Sequence, residues 1–113
     1  MADDLVRLLE AHTVRFNAAV RSGDYAALVG SFAPDGELHF VGVPVGPFTG
    51  RDAIARAYAA QPPDDEVRLL GSPRVEGGTV ESDYAWAADG GRAGRMILTA
   101  RDGAISRLTV TFE

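Results

Sequence analysis

Apart from its carboxylates, the side chains of this 113-residue chain that could do chemistry near neutral pH are two histidines, three tyrosines, one tryptophan and eleven basic residues, all arginine. His12 recurs with apolar neighbours at helical spacing, one turn before Phe16. An imidazole there is either a general base at a pocket mouth or a buried histidine bonded to a neighbouring carbonyl, and both readings stand. Arg95 falls among apolar residues in an alternating run, where an unpaired guanidinium is costly. It therefore needs a partner, either a ligand carboxylate or enolate, or water reached by its head from a strand end. Tyr84 and Trp86 offer a hydroxyl and an indole N–H on one strand face, and Tyr58 adds a third donor. His12, Arg95 and Tyr84 are thus the candidate catalytic groups. Glu81 and Asp83 have the opposite strand parity to Tyr84, so no carboxylate base joins them.

The remaining patterns exclude chemistry. His12 and His39 lack ligand-like spacing, so no metal is expected. With no cysteine there is no thiol nucleophile, thiolate site or disulfide, which fits a reducing compartment. The glycines of DGGRAG precede no helix, and no Ser-His-Asp order or cofactor fingerprint occurs, so no cofactor is expected. A net charge of -5 with scattered arginines argues against a nucleic-acid partner. The start MADDLVRLLEAH is unlike a secretory signal, and no run is apolar enough to span a bilayer, so a soluble cytoplasmic protein without a membrane partner is expected.

The elements that must position these groups are legible in the periodicity. Length and composition suggest one domain over residues 1–113. From Asp3 to Ser22, Leu5, Leu8, Leu9, His12, Phe16, Ala19 and Val20 make a helical stripe, with Gly23 as its stop. Asp24 caps a short second helix, Tyr25 to Phe32, ending at the Pro34-Asp35-Gly36 turn. Residues 37–41 alternate as a strand, Leu38 and Phe40 on one face, Glu37 and His39 on the other, and GVPVGPFTG reads as irregular. Asp52 to Gln61 is a third helix, stopped by Pro62-Pro63. Strands near 66–75, 79–88, 93–101 and 104–112 follow as an antiparallel meander, giving an α+β fold whose helices cover one sheet face. A two-residue turn at Asp102-Gly103 predicts Ile97 opposite Leu108 and Arg95 opposite Val110. On that register Arg95, Ile97, Leu108, Val110 and Phe112 face inward with Ser82, Tyr84 and Trp86, while Ala85, Ala87, Met96 and Leu98 lie outside.

The stretches RFNAAVRSGDYAALVGSFAPDGELHF, GPFTGRDAIARAYAA and RDGAISRLTVTFE, together almost the whole chain, resemble the nuclear transport factor 2-like superfamily, which holds ketosteroid isomerases and SnoaL-like polyketide cyclases. The resemblance implies a cone-shaped, cystatin-like curved sheet packed on N-terminal helices. It also implies positions for the isomerase residues, and these are changed. Phe16 stands at the helix tyrosine, Phe40 at the proton-transfer aspartate, and Ile97 or a neighbour at the second aspartate; Phe32 replaces one supporting tyrosine and Tyr58 remains. A phenyl or butyl group can neither carry a proton nor stabilise an oxyanion, so the isomerase route is not expected.

The expected ligand pocket comprises Phe16, Val20, Phe32, Leu38, Phe40 and Tyr58, closed by Ser82, Tyr84, Trp86, Arg95, Ile97, Leu108, Val110 and Phe112. Such a lining fits a small hydrophobic molecule bound without conversion. An isomerase, cyclase or hydratase acting on a steroid- or polyketide-like substrate through other residues is the alternative, and a non-catalytic dimerisation or protein-binding domain the third. The mixed small, apolar and threonine surface expected outside the sheet suits a homodimer.

Overall fold

The computed structural model describes residues 2–113. Three helices, α1 (Ala2–Ser22), α2 (Ala26–Gly30) and α3 (Arg51–Ala60), pack on a curved, unclosed six-stranded sheet. Its strands are β1 (Phe32–Val41), β2 (Phe48–Thr49), β3 (Val67–Glu76), β4 (Thr79–Trp86), β5 (Arg92–Arg101) and β6 (Ala104–Thr111), in the order β2-β1-β6-β5-β4-β3. All pairs are antiparallel except β1 with β6, which runs parallel because α3 and the meander intervene between them. The α+β reading of the sequence therefore holds. Among the described residues no helix is long and apolar enough to cross a membrane.

α1 buries Leu9, His12, Thr13, Phe16 and Ala19 against the sheet, and Gly23 ends it at φ +80 by donating its N–H to Ala19 O at 2.7 Å. Asn17 ties the helix down: its side chain donates to Val67 O at 2.9 Å and accepts from Val67 N–H at 2.8 Å, so β3 is bonded to the helix through both backbone groups. Arg51 at the start of α3 donates to Phe32 O at 2.9 Å, fixing α3 on β1. Ile54 and Tyr58, one turn apart, bury the inner side of α3, and Tyr58 stacks on Tyr25 at 5.0 Å.

Three sequence expectations are corrected. The second helix stops at Gly30, and Phe32 already belongs to β1. Pro34-Asp35-Gly36 is a bulge within that strand rather than a turn before it: β1 advances from Phe32 to Glu37 while β6 advances only from Ile105 to Arg107. In the stretch read as irregular, Phe48 and Thr49 form the edge strand β2 beside Leu38 and Glu37.

A fourth correction, to the register of β5 and β6, matters most for function. The turn pairs Arg101 with Ala104 as predicted, but Ala100 faces Ile105 and then Thr99 faces Arg107, so Ser106 is an extra residue. Its hydroxyl donates to Thr99 O at 3.0 Å, engaging a carbonyl beside the interrupted ladder. Beyond the bulge Leu98 faces Leu108 and Met96 faces Val110. A one-residue slip moves every β5 side chain to the other face. Met96 and Leu98 are thus buried with the helices, and Arg95 and Ile97 lie outside, the reverse of the predicted arrangement. Ala85, expected on the free surface, is fully buried.

Candidate functional site

A cavity of about 810 Å³ opens between α3, the loop 42–47 and the inner face of the sheet. Phe16, Leu38, Phe40, Tyr58, Tyr84, Trp86, Leu108, Val110 and Phe112 line it, and so does His12. Five residues expected in the lining do not reach it. Phe32 and Ser82 are sealed in the core, the Ser82 hydroxyl donating to Asp83 O at 3.0 Å, and Val20 packs against that core from its edge. Arg95 and Ile97 lie across the sheet because of the Ser106 bulge; Met96 lines the wall where Ile97 was expected.

Arg95 leaves the candidate catalytic set altogether. The partner it requires comes from the protein itself, with Glu81 at 3.5 Å and Glu113 at 3.4 Å. Glu113 also accepts from the Thr111 hydroxyl at 2.6 Å, and with Arg92 beside it these donors pull its carboxyl down to about 2. His39 sits on the same outer side, bonded to Glu37 at 2.7 Å, and this bond is the largest cause holding the Glu37 carboxyl below its usual range.

Tyr84 is fully buried, and its hydroxyl donates to Thr111 O at 2.9 Å. Burial raises that hydroxyl to about 12, with the Glu113 charge adding to it, so Tyr84 is a structural donor and stays protonated. Its neighbour in the ladder is Gly94, where a Cβ would lie 1.9 Å from Thr111 O, so only glycine admits this close approach of β5 to β6. Burial also raises the Tyr58 hydroxyl, again favouring the neutral form.

His12 is 1% exposed, near the rings of Phe16 and Phe32, and its Nδ1 has no hydrogen-bond partner among the described residues. Desolvation, aided by the nearby Arg15 charge, lowers its pKa to about 4. At neutral pH it is an uncharged imidazole able to accept a proton, set in the cavity wall with almost none of its surface exposed.

The open part of the cavity is its rim, which the sequence reading passed over. Val43, Pro44, Val45 and Phe48 form one side, and Ala53, Arg56, Ala57 and Ala60 of α3 the other, with Gln61 and Pro63 beyond. Two signals were present: apolar side chains gathered in a loop, and small residues at helical spacing 53, 57 and 60. No Asp or Glu lines the cavity, and among the described residues no group of three or more metal-ligating side chains occurs.

The fold agrees with what the chain is similar to. A family model described as a SnoaL-like domain matches residues 13–108. The chain belongs to the SnoaL-like family. A comparison with proteins of curated function finds no match. Among solved structures, an NTF-2 like protein of unknown function from Burkholderia xenovorans LB400 is 18% identical with a TM-score of 0.73, covering 99% of this chain and 84% of its own. A candidate ketosteroid isomerase from Kribbella flavida DSM 17836 is 16% identical with a TM-score of 0.69, covering 96% and 79%. A candidate polyketide cyclase from Sinorhizobium meliloti is 22% identical with a TM-score of 0.67, covering 97% and 98%. At these identities the SnoaL-like fold is what is shared, and a shared fold hosts many chemistries.

Proposed function

We propose that this SnoaL-like chain binds a small, mostly apolar molecule in the cavity and does not convert it by the proton-transfer route of ketosteroid isomerases. The observation that carries this reading is a cavity of about 810 Å³ with an aromatic and aliphatic lining and no carboxylate in it. Ligands should therefore raise the unfolding temperature in a screen of steroids, polyketides and aromatic compounds. At a hundredfold excess over Kd the stabilisation is about 2.7 kcal/mol. Ala57→Trp, which fills the open rim from α3, should abolish the shift while leaving the apo protein folded. A screen without shifts, or shifts that survive Ala57→Trp, would overturn the proposal.

One observation favours an enzyme instead. A buried, uncharged His12 with an unpartnered Nδ1 is a proton acceptor of the kind an isomerase, cyclase or hydratase needs, and two structural neighbours bear isomerase and cyclase names. That reading requires turnover that collapses in His12→Ala with folding retained. The proposal also includes a cytoplasmic setting, which the absence of cysteine suits, and a homodimer across the outer sheet face. The dimer now rests on Ile97 and exposed Val41 rather than Met96 and Leu98. Sedimentation at micromolar concentration reads it, a one-chain mass refuting it.

A further inference from the structure

The cavity has one charge. Among the residues lining it Arg56 is the one ionised side chain, since Tyr58 and Tyr84 are held protonated and His12 is held neutral. Arg56 is exposed and, among the described residues, makes no hydrogen bond or ion pair, whereas Arg21, Arg74, Arg92, Arg95, Arg101 and Arg107 are each spent on a carboxylate. It stands on the stripe of α3 that faces the cavity, flanked by Ala53, Ala57 and Ala60, whose short side chains leave the space beside it open. Across that space lie Phe40, Phe48, Phe112 and Trp86, all partly exposed.

We propose that Arg56 recognises an anionic group at the outer end of the ligand, so that the cavity selects an aromatic or alicyclic acid over its neutral counterpart. This rests on the binding reading above and adds the ligand's chemical class. The rings would lie among Phe40, Phe48 and Phe112, and the carboxylate would meet the guanidinium, whose planar fork matches it. The net charge of -5 opposes an anion only weakly at physiological salt, because screening confines each charge to roughly 8 Å. Asp52, one turn before Arg56 on α3, is the competing partner and is outside ion-pair distance.

The experiment is calorimetric titration of the whole chain with naphthoate and with naphthamide, a pair of nearly the same shape that differs in charge. Wild type should bind naphthoate about fivefold more tightly, the ratio expected for a partly exposed ion pair. Arg56→Gln should bring the naphthoate and naphthamide affinities of that variant together, while Arg56→Lys should keep part of the preference. A preference for naphthoate that persists in Arg56→Gln, or wild type favouring the amide, would overturn the assignment of Arg56 while leaving the cavity reading intact. If neither compound binds, the cavity reading falls first and the assignment with it. Arg56 is exposed, so the variants should fold, and circular dichroism checks that they do.

Discussion

On the helix-facing side of β4 and β5, Val80, Ser82, Tyr84, Met96 and Leu98 are 3% exposed or less and are held by packing, with the Ser82 and Tyr84 hydroxyls donating to backbone carbonyls. On the outer side of the same strands, Glu81, Asp83 and Arg95 join Arg74, Arg92 and Glu113 in ion pairs of 3.1 to 3.5 Å, all open to water. The two sides are one residue apart in the chain. The inner side is held by apolar area removed from water, whose loss is costly and indifferent to salt. The outer side is held by screened charges, several of which share partners, so the loss of one is small. Only the inner side shapes the cavity. A charge found there, such as Arg56 at its rim, carries more information about a ligand than the many charges outside.

The sharpest way to break this comparison is to truncate neighbours on opposite sides. Leu98→Ala should cost about 3 kcal/mol, because a fully buried leucine leaves a void. Ile97→Ala, on a half-buried outer position, should cost about 1 kcal/mol or less. Urea denaturation with unchanged slope measures both. The reverse order, with Ile97→Ala the costlier, would mean that the Ser106 bulge is absent and the strands pair by strict alternation.

That bulge also marks the limit of what the sequence discloses. Helical stripes, the Gly23 stop and the meander follow from local periodicity, and they agree with the structure to within a few residues. Register does not, because it accumulates along a strand and one inserted residue reverses it. A clue was nonetheless present: Ile105 and Leu108 are both apolar, and their odd spacing cannot put both on one face of an unbroken strand. Strict alternation from the turn placed Arg95 in the pocket, and the site assignment inherited the error. Arg56 was missed for another reason, since a polar residue on an exposed helix face resembles every other solvated arginine until the fold sets an apolar cavity beside it.

A second test of the inner side is its response to acid. His12 has a folded-state pKa near 4 against an ordinary value of 6.5, lowered by desolvation and then by Arg15. Above pH 6.5 it is neutral in both states and contributes nothing to pH dependence. As pH falls from 6.5 to about 4 the unfolded chain takes up a proton that the folded chain refuses, so stability declines by on the order of 3 kcal/mol in total. His12→Leu should flatten the stability curve across that window. Glu113 acts in the same direction and lower down: its depressed pKa contributes stability above about 4.5, lost as pH falls towards about 2. An unflattened curve in His12→Leu would show that the imidazole titrates as if exposed.

The smallest expected effect belongs to the outer side. Arg95 is 42% exposed in its side chain and shares Glu81 with Arg74, and Glu113 with Arg92, so Arg95→Gln leaves each carboxylate another arginine. The variant's unfolding midpoint should fall slightly at low ionic strength, and the difference from wild type should vanish by about 0.5 M salt, where screening reaches only a few ångströms. Naphthoate affinity should be unchanged, because the sheet separates Arg95 from the cavity that Arg56 borders. The three readouts separate the two possible placements of Arg95. A large loss of stability that persists in salt, together with weakened naphthoate binding, is what an arginine buried beside Val110 and Phe112 would give, and it would return Arg95 to the pocket.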